Sequence, residues 1–332
     1  MYSLFDATHV FHENNCNHRH SAENNHAEII DDICWSTMDL LLRTPDRWGA
    51  LYSCRYLNES EWQKEGSSNV LLGFFYIFVG IFFIVLYALC VTVMCQKHIR
   101  QQSCLKFMIQ IGVMDMANLL ANCLYTGYLT VVGAVFCTSP LLQYCAGAYI
   151  FYVWTNSSLT SVLLCIDRAL EAFVPQYMED IFGGYRIWLW LGFPHLYALY
   201  FAFFTPAPSF SSKMYAWFFD PYVGIDRIPV NHANYISTPH VVHNIGISVV
   251  FSIVYIAHFA AIWWKTRMST SEVMGKTRKR LFVQSMSICS LNSSACVCYV
   301  LIEQFAAPKL LMIVAHALWI CCNCQAPATI SS

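Results

Sequence analysis

Asp167 and Arg168 stand side by side just after 24 uncharged residues, Leu141 to Leu164. One explanation is that charges mark a membrane boundary, where an arginine can reach the headgroups. That accounts for an Arg. It accounts less well for an Asp beside it at a cytosolic edge rich in anionic lipid. Asp115 is the other residue with chemical potential, a lone carboxylate within an otherwise apolar stretch. Such a group is costly in lipid and as a rule functional. Asn118 and Asn122 lie on nearby helical faces, and His316, Asn323 and Asn292 are its expected partners. His195 and His258 are expected to be ordinary hydrogen-bonded core histidines. The spans carry no metal-ligand motif, no paired carboxylates and no nucleophile elbow, so catalysis is not expected. No cofactor is expected either. Near the N-terminus HENNCNHRH holds His12, Cys16, His18 and His20. Its spacing matches no closed zinc site, and its composition suits a disordered polar tail.

The elements that position these residues are apolar. Of 332 residues, 57% are hydrophobic and 12% charged, against about 25% charged in a soluble protein. The mean hydropathy is +0.45. The net charge of −1 suggests no nucleic-acid partner. Sixteen cysteines in a chain this long are too dilute for a small disulfide scaffold. Seven apolar blocks match the roughly 20 residues needed to cross a bilayer: Val70–Cys95, Phe107–Val132, Leu141–Ile166, Ile187–Pro206, Val242–Trp264, Leu281–Ile302 and Leu310–Ile330. The fold expected is an all-α, seven-span helix bundle over residues 70–332, preceded by a tail over 1–69. Residue 194 is a proline inside the fourth span, tolerated because neighbouring helices re-satisfy the freed carbonyl.

Lysine and arginine give the orientation. The loops after spans one, three and five carry eleven of them, and those after spans two, four and six carry three. The positive-inside rule puts the first set in the cytosol, hence the N-terminus outside and the C-terminus inside. Residues 1–69 hold no long apolar stretch, so the first span is expected to act as its own signal. Asn58-Glu59-Ser60 is a glycosylation sequon on the side assigned to the lumen. Two more sequons, at Asn156 and Asn292, fall inside spans and are expected to be unused. The basic run Arg278, Lys279, Arg280 before the sixth span lies on the cytosolic side.

Helical periodicity links Arg168 to a face above it: Leu164, Ser161, Ser157, Trp154, Ile150 and Gln143. The lower members are small or polar and suit helix contacts. Gln143, Ile150 and Trp154 would line a pocket open to the outside, apolar enough for a small organic ligand. Packing is the competing role for Trp154.

The chain resembles a G-protein-coupled receptor, and more narrowly the nematode serpentine chemoreceptors of class T. The resemblance rests on Tyr52-Ser53-Cys54 with Trp62; on Gly133-Ala134-Val135-Phe136-Cys137 with Pro140; on Cys165-Ile166-Asp167-Arg168 with Glu171; and on Phe182-Gly183-Gly184-Tyr185-Arg186. It runs from about Pro45 to the C-terminus. It implies ligand-driven switching that activates a heterotrimeric G protein, at the plasma membrane and in the cilia of sensory neurons. Asp167 would hold Arg168 at rest, and Arg278, Lys279 and Arg280 would face the G protein. Asp115, with Asn118, His316 and Asn323, would form a polar hub that rearranges on activation.

Many receptors tie the top of the third helix to the loop after the fourth by a disulfide. Here that loop, Ala207–Val241, has no cysteine. The expected pair is Cys54 with Cys137, tail to third helix, with free thiols as the alternative. Two departures stand out: Pro327 has no tyrosine after it, and position 169 is Ala where many relatives have an aromatic residue. The first puts coupling efficiency in question. The seventh span has no lysine, which excludes a retinal Schiff base. Seven spans do not divide into the repeats of a transporter. The remaining rival is a ligand-gated channel of inverted seven-helix topology, which the charge count and Asn58 oppose.

Overall fold

The computed structural model describes residues 51–96, 102–268, 287, 290–302 and 309–322. The N-terminal histidine cluster, Arg278, Lys279, Arg280 and Asn323 lie outside these residues.

The chain enters through α1 (Glu59–Glu65), a short helix started by a capping box. Asn58 accepts from the Glu61 amide while the Glu61 side chain accepts from the Asn58 amide, each at 2.9 Å. This satisfies two otherwise orphaned donors. The first span, α2 (Val70–Met94), exposes a row of large apolar residues that includes Leu71, Phe74, Phe78 and Phe82. Such a row is stable only against lipid. Its other face carries glycines against the second span, α3 (Ser103–Val132). A Cβ on Gly73 would lie 2.6 Å from the carbonyl oxygen of Gly127, and one on Gly127 would lie 2.7 Å from that of Gly73. Small residues here let two backbones touch, as membrane helix contacts require.

The second helix is not regular. Residues Leu120–Tyr125 form a π-helical turn, a deformation that is frequent at functional sites. At its end Gly133 adopts φ +70, where a Cβ would also meet the Ser68 amide at 2.9 Å.

The third span is α4 (Pro140–Phe173). At 34 residues it is about 50 Å long, well beyond the hydrocarbon thickness. It lies at the centre of the bundle, against α3, α6 (Arg186–Phe204) and α7 (Thr238–Met268). It therefore runs past Asp167 and Arg168, where the apolar run ends. It stops at Val174 because Pro175 follows, and the residue before a proline is driven out of helical geometry. The short α5 (Met178–Phe182) turns back and plants Phe182 edge-on against Phe107, centroids 5.8 Å apart.

Helix α7 begins four residues before the span expected from hydropathy. Its first turns carry His240, His243 and Asn244, which lowered the apolar signal, yet all three are buried. Two shorter apolar helices follow, α8 (Ser290–Ile302) and α9 (Lys309–Cys322). Among the described residues five helices are long and apolar enough to span a membrane, and α8 and α9 fall within the sixth and seventh apolar blocks.

The bundle is not purely helical. The loop after α6 forms a hairpin of β1 (Ser209–Ser211) and β2 (Ala216–Phe218), with Phe210 opposite Trp217. Both of those side chains are buried.

Candidate functional site

Three polar layers lie along the bundle. The first is a roof. The hairpin is pinned to the mouth of the bundle by Gln143, whose Nε2 donates to the Val135 carbonyl at 2.7 Å and whose Oε1 accepts from the Phe210 amide at 3.2 Å. Trp217 Nε1 donates to Thr126 Oγ1 at 2.8 Å. A Cβ on Gly147 would overlap the carbonyl of Pro208, so the loop lies directly on α4. The expected pocket open to the outside is thus covered among the described residues, and Gln143 is spent on holding its cover. Hydropathy could not show this, because the cover is a loop that folds by packing.

The roof is braced from the tail. Cys54 and Cys137 are joined, with Cα atoms 5.4 Å apart. Trp62 Nε1 donates to the Cys54 carbonyl at 2.9 Å. The Tyr222 hydroxyl lies 2.9 Å from the Ser53 carbonyl and 3.2 Å from that of Leu51, which also accepts from Tyr235 at 2.7 Å. Burial pushes the phenols of Tyr52, Tyr222 and Tyr235 above their ordinary value. Lys213 adds an ion pair to Glu65 at 3.2 Å. Asn58 is exposed at this same end.

Below the roof lies a chain of buried polar groups. His240 stacks near Phe219 of the loop, centroids 4.9 Å apart, and accepts from Asn244 Nδ2 at 2.9 Å. Asn244 in turn accepts from Trp154 Nε1 at 3.2 Å. Trp154 meets Trp319 of α9 edge-on at 5.8 Å. Beside them His243 shares hydrogen bonds with Ser158 at 2.9 Å and Tyr197 at 2.8 Å. His195 is bonded to Tyr152 at 2.6 Å. Ile150 and Trp154 both face this interior, but so do Thr155, Asn156 and Ser158, all fully buried. The central helix is buried nearly all round, so facing inward does not by itself single out a ligand contact.

The second layer contains Asp115. Its carboxylate accepts from Tyr87 Oη at 2.8 Å and from Ser157 Oγ at 3.1 Å. The expected partner His316 is not bonded to it: among the described residues neither ring nitrogen makes a hydrogen bond to a side chain. It sits instead edge-on to Tyr76, centroids 5.2 Å apart. Asn118 and Asn292 are buried.

The third layer, at the opposite end from the roof, is a clamp. Arg168 Nε donates to Asp167 Oδ2 at 3.0 Å, and its Nη2 donates to the same oxygen. Its Nη1 pairs with Glu171 at 2.5 Å. Ser103, the first residue of α3, donates to the other Asp167 oxygen. Asp167 is fully buried and Arg168 only 8% exposed. A desolvated, hydrogen-bonded pair of this kind costs several kcal/mol to break from one side.

Sequence reasoning missed Tyr87, Tyr76, His240, His243, Asn244 and Tyr299. One signal was present: residues 240, 243 and 244 are spaced as one helical stripe.

Residues 45–330 match the family model of the serpentine type 7TM GPCR chemoreceptor Srt. Serpentine receptor class T-55 of Caenorhabditis elegans is 25% identical over 282 residues, which is 83% of this chain and 76% of that protein. This multi-pass membrane protein, a seven-helix bundle with a loop-roofed end and a buried Asp-Arg clamp at the other, belongs to the class T serpentine chemoreceptor family.

Proposed function

We propose that the chain is a chemosensory receptor that binds a small molecule in the roofed half of the bundle and activates a heterotrimeric G protein at the clamp end. The observation that carries this reading is the Arg168 clamp. Its cation is neutralised twice, by Asp167 and Glu171, and Asp167 is also tied to the start of α3. An arginine held this way is available to a partner only after the clamp opens. Such a two-state element is what ligand-driven switching requires. Asp115, fixed between Tyr87 and Ser157, serves as the hub, joined on switching by Asn118 and His316. Ile150 and Trp154 are the ligand-side residues of α4, and Gln143 holds the roof above them. Arg278, Lys279 and Arg280 would meet the G protein, with the tail outside, Asn58 glycosylated, and the receptor in the plasma membrane of sensory cilia.

The test is nucleotide exchange on a panel of heterotrimeric G proteins, with the full chain in membranes and its sidedness checked by Asn58→Gln gel shift. Asp167→Asn is expected to raise basal exchange about tenfold, a coupling near the middle of the usual range. Arg168→Ala is expected to abolish exchange. A tail on the cytosolic side, or exchange indifferent to both substitutions, overturns the reading.

A further inference from the structure

Four side chains between α2, α3, α8 and α9 carry buried polar atoms for which the described residues supply no hydrogen bond of good geometry. They are the Tyr76 hydroxyl, both amide atoms of Asn122, both ring nitrogens of His316 and the Tyr299 hydroxyl. Asn122 and His316 are fully buried and Tyr76 is 2% exposed; Tyr299 is half-buried, with its hydroxyl enclosed. An unmade buried hydrogen bond costs about 1–3 kcal/mol, and native interiors leave few of them without a purpose.

These groups form one cluster. His316 contacts the ring of Tyr76 and interacts with the backbone of Asn122. Tyr299 interacts with Tyr76 and meets Trp319 at a centroid distance of 5.5 Å. His316 meets the same indole at 5.9 Å. Asn122 is carried by the π-helical turn of α3. The aromatic core joins this wall to the roof: Trp217 packs in one cluster with Trp154 and Trp319.

We infer that Tyr76, Asn122, Tyr299 and His316 form a binding site for a small neutral aromatic molecule bearing a hydroxyl or carbonyl oxygen. The donors and acceptors of the four side chains suit an oxygen of either kind. The cluster has no formally charged member, so an ionic ligand gains no counter-charge from it. Tyr76, Tyr299 and Trp319 give the cluster an aromatic lining, which suits a ligand that carries a ring. This assignment rests on the receptor reading above and moves the polar contacts of the ligand away from Gln143 to helices α2, α3, α8 and α9.

The test uses the purified full chain in lipid nanodiscs, with benzyl alcohol and benzaldehyde as probes. Toluene, added to equal membrane content, is the apolar control. The oxygenated probes are expected to raise the unfolding temperature saturably in the wild type, and toluene is not. Tyr76→Phe, which removes one hydroxyl, and His316→Phe are each expected to weaken that response about tenfold, one hydrogen bond's worth. An equal response to toluene, an unchanged response in both variants, or no saturable response in the wild type overturns the site. Binding is read without a G protein, so the two proposals fail separately. Arg168-dependent exchange without probe binding removes this site alone; probe binding without exchange removes the signalling reading alone.

Discussion

The cap and the wall between α2, α3, α8 and α9 use polar groups in opposite ways. In the cap, Tyr222, Tyr235 and Trp62 each donate to a backbone carbonyl, and a disulfide closes the same region. In that wall, Tyr76, Asn122 and His316 have similar capacity, and their side chains make no hydrogen bond of good geometry among the described residues. Full satisfaction fixes one arrangement. Unmet capacity leaves the chain dependent on something that comes from elsewhere. On the reading proposed above, the cap is the scaffold and that wall is the region that responds.

This contrast can be broken by substitution. The largest effect is expected for Cys54→Ser. The bridge closes a separation of 83 residues, which corresponds to about 4 kcal/mol of stability. Thermal unfolding in detergent, with and without reductant, measures it; a variant as stable as the wild type would show that the cap holds without its bridge.

Alkali should loosen the cap next. Tyr52, Tyr222 and Tyr235 are neutral phenols whose burial raises their pKa above 10.0. A raised folded value means that the protonated form stabilises the fold. That stability is complete below pH 10 and is lost as pH rises beyond it. The loss is about 1.4 kcal/mol per pH unit for each phenol that must ionise. Ultraviolet tyrosinate absorbance, followed together with unfolding, checks that the two coincide.

A matched pair of Tyr→Phe changes sharpens the comparison most. Tyr222→Phe leaves two carbonyl oxygens without this donor and should cost about 1–2 kcal/mol. Tyr76→Phe removes a hydroxyl that makes no hydrogen bond among the described residues. It should leave the ligand-free protein unchanged or stabilise it by about 1 kcal/mol. Equal losses at both positions would end the distinction between the two regions. The smallest effect belongs to Lys213→Ala. Its pair with Glu65 is one-third exposed, so the change should cost less than about 1 kcal/mol and vanish in high salt.

The bundle was legible in the sequence because lipid imposes long apolar runs. Asp115 and the Asp167-Arg168 pair were legible because charge is rare beside such runs. The roof was not: residues 209–218 alternate too briefly to announce strands, and they pair only where the mouth of the bundle buries Phe210 and Trp217. The π-helical turn was also silent, since LANCLY has nothing to distinguish it from a regular helix. His240, His243 and Asn244 were hidden by the same rule that found the spans. Polar residues lower hydropathy even where they turn inward and bond to one another.

The buried hairpin also sets a rate. On the receptor reading proposed above, a solute arriving through the roof would have to lift Trp217 and Phe210 out of their sites, against hydrogen bonds to Thr126 and Gln143. A solute dissolved among the acyl chains needs only to slip between neighbouring helices. Onset and wash-out of a response should then follow the oil–water partition coefficient of the compound. Two odorants of equal affinity would differ in apparent potency by the ratio of their concentrations in the bilayer, and the response would outlast removal of the compound from the bath.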